Sequence, residues 1–122
     1  MKIRILDNSI RLRLSQQEVG QLANGTAITG QVTFPDGSNW KYGLQSIEQE
    51  TLFSVIHSST GIEVKISQSG ASELVDPGRV GHSSSLTTPY GDLKILVEKD
   101  FKCLTSREED ESGLYENPKA VC

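Results

Sequence analysis

One segment occurs twice in this chain. Ser9-Ile10-Arg11-Leu12-Arg13-Leu14-Ser15-Gln16 aligns with Gly61-Ile62-Glu63-Val64-Lys65-Ile66-Ser67-Gln68, so that apolar positions, charged positions and the Ser-Gln pair coincide. Leu22 then meets Leu74, Asn24 meets Asp76, and Gly25 falls one residue from the equivalent of Gly78. The turns Pro35-Asp36-Gly37 and Pro89-Tyr90-Gly91 recur at nearly the same offset. A spacing of about 50 residues seen only twice is too few for a solenoid, which needs about three or more repeats to bury its faces. The prediction is one pseudo-symmetric domain over residues 1–122, with halves at about 1–50 and 51–99 and a tail over 100–122.

Each half contains the same order of patterns. Lys2-Ile3-Arg4-Ile5-Leu6 and Ser9 to Leu14 alternate apolar with charged residues, the period of a strand with one buried and one wet face. Asp7-Asn8 between them is a tight turn. Ser15-Gln16-Gln17-Glu18 fits a capping box, which predicts a short helix to about Asn24 with Val19, Leu22 and Ala23 on its buried stripe. Strands follow at Thr26–Phe34 and Asn39–Ile47 around Pro35-Asp36-Gly37-Ser38, with Trp40 and Tyr42 on one face. The second half gives strands at Leu52–His57 and Ile62–Ile66, a helix from about Ser69 to Val75 closed by Asp76-Pro77-Gly78, and a strand at Leu93–Glu98. Gly81 to Thr88 is the remaining strand of the second half, polar and serine-rich, with Ser83, Ser84 and Ser85 reading as flexible. The fold class is therefore α+β: a mainly antiparallel barrel or sandwich of about eight strands with two short helices, from a duplicated strand-strand-helix-strand-strand unit.

Composition narrows the function classes. A formal charge of -4 gives no counterion-release drive toward nucleic acid, so nucleic acid is excluded as the expected partner. No apolar run reaches the roughly 20 residues of a membrane-spanning helix, and the start of the chain alternates where a signal peptide would be continuously apolar. Two cysteines are too few for a disulfide framework, and a cytoplasmic location is expected.

Three groups of residues carry candidate chemistry. Cys103 and Cys122, with His57 or His82, offer thiolate and imidazole donors for zinc, but neither a C-x-x-C nor an H-x-x-x-H spacing is present. The simpler reading is a buried Cys103 and an exposed Cys122, with a bridge between them on oxidation as the intermediate case. The strand charges Arg4, Arg11, Arg13, Lys41, Glu63, Lys65, Lys94 and Glu98 form the second group. Turned inward, they would clamp phosphoryl oxygens and a divalent metal, as in the triphosphate-processing tunnel barrels. The Glu-x-Glu-x-Lys strand of those barrels is absent, and burying unpaired charge is costly, so a wet outer face is favoured. Arg4, Arg11, Arg13 and Lys94 remain the anion-binding candidates. The acidic run Glu108 to Glu111 lacks the alternating ligands of a calcium loop and reads as solvated tail.

Lys2-Ile3-Arg4-Ile5, Asn8 to Ser15 with Glu18-Val19, and the later Leu93 to Leu104 block with Asn117-Pro118 resemble a small bacterial family of uncharacterised proteins. That resemblance implies no activity. The residues themselves assemble no acid, base and nucleophile, so the expected function is non-enzymatic binding or protein interaction, without a cofactor. Its expected partner is an unidentified protein or small molecule, and a homodimer is unsurprising only because symmetric dimers are the commonest soluble oligomers. The alternatives are a phosphate-compound enzyme or sensor using the basic strand residues, and a thiol-based metal or redox sensor.

Overall fold

A computed structural model describes residues 1–101. Eight strands and two helices follow in the order β1 (Lys2–Leu6), β2 (Ser9–Leu14), α1 (Gln16–Ala23), β3 (Ile28–Thr33), β4 (Asn39–Ile47), β5 (Phe53–Ser58), β6 (Gly61–Ser67), α2 (Gln68–Glu73), β7 (Gly81–Thr88) and β8 (Gly91–Lys99). The strand-strand-helix-strand-strand order thus occurs twice, as the sequence pattern predicts. The strands make two four-stranded sheets, β1-β2-β8-β7 (sheet I) and β3-β4-β6-β5 (sheet II), and the barrel alternative is overturned because neither sheet closes.

Each sheet is a pair of antiparallel hairpins joined by one parallel pairing at its centre. In sheet I, β2 runs parallel to β8, with Ser9 opposite Lys94 and Arg13 opposite Glu98. In sheet II, β4 runs parallel to β6, with Lys41 opposite Gly61 and Ile47 opposite Ser67. The hairpin β1–β2 therefore joins β7–β8 from the far end of the described chain, while β3–β4 joins β5–β6 next to it. The two helices are the crossovers: α1 carries the chain from sheet I to sheet II, and α2 carries it back.

Local sequence explains both helix starts. Ser15 caps α1, accepting from the Glu18 N–H at 3.2 Å while Glu18 accepts from the Ser15 N–H at 2.9 Å, the predicted capping box. Ser67 caps α2 by accepting from the Gly70 N–H at 3.1 Å, and α2 begins one residue earlier than predicted because this cap occupies the last residue of β6. Burial pushes the Glu18 carboxyl up, but the N-terminal ammonium 2.5 Å away and the Ser15 N–H and hydroxyl outweigh it and hold the carboxyl below its ordinary value.

One core serves both sheets. Ile10, Leu12 and Leu14 from β2, Ile95 and Val97 from β8, Leu44 from β4 and Val64 and Ile66 from β6 meet Val19 and Leu22 of α1 and Ala71 of α2. The buried positions are the apolar half of each alternation, so the charges of β2 and β6 face outward. Leu22 and Leu74, aligned in the repeat, are both buried. Cross-links tie helices to strands: the Ser46 hydroxyl donates to the Leu22 carbonyl at 3.1 Å, and His82 Nε2 donates to the Gly70 carbonyl at 2.9 Å.

Two glycines mark close approaches. At Gly61, φ is 151° and an added Cβ would lie 1.8 Å from the Lys41 carbonyl oxygen, so β4 can pass β6 there only over a glycine. At Gly30, the Tyr42 ring lies across the bare backbone of its register partner, and an added Cβ would meet Cζ at 2.3 Å. Tyr42 and Trp40 do share a face, the inner one, with ring centroids 5.9 Å apart, and both are half-buried.

Gly81–Thr88 is the strand that the doubled order calls for, and Ser83, Ser84 and Ser85 lie within it instead of in a flexible stretch. It is a full strand, paired with β8 from Gly81↔Glu98 to Thr88↔Gly91. Its serines do not favour a strand by propensity; the ladder to β8 and the inward side chains His82, Ser84 and Leu86 determine it. No helix among the described residues is long and apolar enough to cross a membrane.

Candidate functional site

The outer face of sheet I collects the cations that the sequence left scattered. Strand alternation places Ile10, Leu12 and Leu14 inside and Ser9, Arg11 and Arg13 outside. Direct partners share a face, so β1 adds Lys2 opposite Arg13 and Arg4 opposite Arg11. The parallel pairing adds Lys94 beside Ser9, Leu96 beside Arg11 and Glu98 beside Arg13. The antiparallel pairing with β8 then sets Ser83, Ser85 and Thr87 of β7 along the same face. All four anion-binding candidates, Arg4, Arg11, Arg13 and Lys94, therefore lie on one surface, joined there by Lys2.

The carboxylates on this face are fewer than the cations. Glu98 serves two arginines at once, with Oε1 3.5 Å from Arg11 Nε and Oε2 4.0 Å from Arg13 Nε. Asp100, just past β8, pairs with Lys2 at 2.8 Å, and this hydrogen bond holds its carboxyl below the ordinary value. Asp92 lies exposed near the β7–β8 turn. Arg4 is exposed and has no ion pair among the described residues. Hydroxyls at Ser83, Ser85 and Thr87 give the β7 side neutral hydrogen-bonding groups, about three strand spacings, or about 14 Å, from β1.

The outer face of sheet II is built differently. Lys41, Glu63 and Lys65 are its strand charges, and Lys65 is satisfied by Glu63 beside it and by Gln45 Oε1 at 3.1 Å. Glutamine, serine and threonine fill most of the rest: Thr29, Gln31 and Thr33 on β3, and Ser54 and Ser58 on β5. The row of eight strand charges thus faces outward and is shared unequally between two sheets.

The remaining candidates do not converge. His57 is exposed on β5, opposite Ile62, and His82 sits half-buried on β7 with its Nε2 proton given to the Gly70 carbonyl. Cys103 and Cys122, and the acidic run Glu108 to Glu111, lie outside the described residues. Among the described residues, no three metal-ligating side chains cluster. A concave feature that the sequence reading missed lies between the helices: a groove of about 530 Å³ walled by Leu14, Val19, Leu74, Val75, Pro77 and Phe101. Beside it, the Lys99 ammonium donates to the Asp76 carbonyl at 2.7 Å.

The hydroxyl row and Lys2 were also missed. Their one signal in the sequence was alternation within β1 and β7; which strand lies beside which could not be read from it.

A protein-family model described as a family of unknown function, DUF7009, matches residues 1–119. The chain belongs to this family. The match spans both end blocks on which the resemblance rested, and the family description assigns no activity. No curated protein and no solved structure matches the chain.

Proposed function

We propose that this member of the family is a non-enzymatic binding domain that receives anionic partners on the outer face of sheet I. The observation that carries the reading is charge segregation: Lys2, Arg4, Arg11, Arg13 and Lys94 share one open sheet face in a chain whose formal net charge is -4. Complementary potential steers association and selects partners even where each exposed pair adds little affinity. Glu98 supports the same reading, because one carboxylate bridging Arg11 and Arg13 holds both side chains in place without neutralising the face.

The test is a titration of a fluorescently labelled glutamate-rich peptide against the full chain at low salt. Arg11→Ala with Arg13→Ala is expected to weaken binding about tenfold, at up to about 1 kcal/mol per exposed ion pair. Lys41→Ala with Lys65→Ala, on sheet II, is expected to leave it within about twofold. Binding should also weaken as ionic strength rises through the physiological range. Equal losses for the two double variants, or no binding by the unaltered chain, would sink the reading.

A further inference from the structure

Arg4 and Arg11 are direct register partners across β1 and β2, on the same outer face. Directly opposite side chains start about 5 Å apart, and like charges in that position destabilise a sheet. The second like-charged pair, Lys2 and Arg13, has its own counter-ions: Asp100 beside Lys2 and Glu98 beside Arg13. The Arg4–Arg11 pair has only Glu98, at 3.5 Å from Arg11 and already divided with Arg13. Two guanidinium forks at this spacing match an anion with several acceptor oxygens and close to two negative charges, which is a phosphoryl group; a carboxylate offers two oxygens and one charge.

The shape of the surface decides what carries that group. Small ligands are held by concave sites that bury most of their area, whereas Arg4 stands exposed on an open sheet face. Such a face fits a group displayed on a larger surface, with the Ser83, Ser85 and Thr87 hydroxyls offering contacts to the flanking backbone. We infer that Arg4 and Arg11 together recognise a phosphoserine or phosphothreonine on a protein partner. This inference rests on the anion-binding reading of the face and adds the class of group that the face selects.

Two labelled peptides of one sequence test it, one carrying two glutamates and the other two phosphoserines, against the full chain and its Arg4→Lys/Arg11→Lys variant. The variant keeps both charges and removes both forks, and an unchanged melting temperature shows that it is folded. The unaltered chain is expected to bind the phosphopeptide about tenfold tighter than the glutamate peptide. In the variant this preference should fall to about twofold, with glutamate-peptide affinity nearly unchanged. If the unaltered chain binds both peptides equally, the phosphoryl assignment falls and the anion-binding reading stands. If it binds neither, the reading falls and takes the inference with it. Inorganic phosphate binding as tightly as the phosphopeptide would overturn the assignment to a protein-borne group.

Discussion

Sheets I and II have the same topology and opposite construction. In sheet II the central parallel pairing joins β4 and β6, which are close in sequence: Lys41 lies opposite Gly61. In sheet I the equivalent pairing joins β2 and β8 from the two ends of the described chain, with Ser9 opposite Lys94. Those separations differ by about two doublings of loop length, an entropic difference of about 1.2 kcal/mol before any other contact forms. Identical strand order therefore does not mean identical assembly. Loop-closure entropy favours pairing of β4 with β6 before pairing of β2 with β8, an order of assembly that folding kinetics test.

Surface chemistry differs along the same division. Sheet II's outer face carries three strand charges and pairs one of its two lysines, Lys65, with Glu63 and Gln45. Sheet I brings the basic hairpin β1–β2 beside β8 and leaves a surplus of cations. The two sheets share one buried core and differ on their exposed faces.

The largest effect that would break the comparison is at the sheet II crossing. Gly61→Ala places a Cβ against the Lys41 carbonyl and holds alanine at a glycine dihedral, so the expected destabilisation is about 3–5 kcal/mol, read as a drop in the urea midpoint. A loss below about 1 kcal/mol would mean that β4 and β6 part more easily than their register implies.

The order of assembly is sharpened by an aligned pair of core residues. Leu14→Ala in sheet I and Ile66→Ala in sheet II each remove a fully buried side chain and should each cost about 3 kcal/mol at equilibrium. Their kinetics should differ. Ile66→Ala is expected to slow folding, and Leu14→Ala mainly to speed unfolding, in stopped-flow chevrons. The reverse partition would show that the distant pairing of β2 with β8 forms first.

The smallest expected effect concerns the two caps. Glu18 closes the cap of α1, while the aligned position in α2 is Gly70, which has no carboxylate. The folded Glu18 carboxyl is held below its ordinary value, so its contribution is present above the unfolded pKa and is lost as pH falls through the folded one. Glu18→Gln keeps a side-chain acceptor for the Ser15 N–H and should cost about 0.5 kcal/mol at neutral pH, a shift of about 3 °C in melting temperature. That difference should vanish at strongly acidic pH, where the native carboxyl is protonated. A constant offset at all pH values would assign the effect to shape instead of charge.

Much of this molecule is legible from residue order alone. Alternation in β2 and β6 gave the buried side chains and Ser15-Gln16-Gln17-Glu18 gave the first helix start, because these are short-range rules of dihedral and hydrogen-bond geometry. The anion-binding candidates Arg4, Arg11, Arg13 and Lys94 were each visible as outward charges. That they form one face was not.

Sequence by itself determined the elements, their inward and outward sides and the doubled order. Only the tertiary structure decided that β2 lies beside β8 and β4 beside β6, that the sheets stay open, and that Ser83, Ser85 and Thr87 lie on the same face as the arginines. The physical reason is range. Alternation and capping act over a few residues and are written in the local chain, whereas strand partnership is chosen by which arrangement buries Leu12, Val64, Ile95 and Val97 together, and many pairings share the same local pattern.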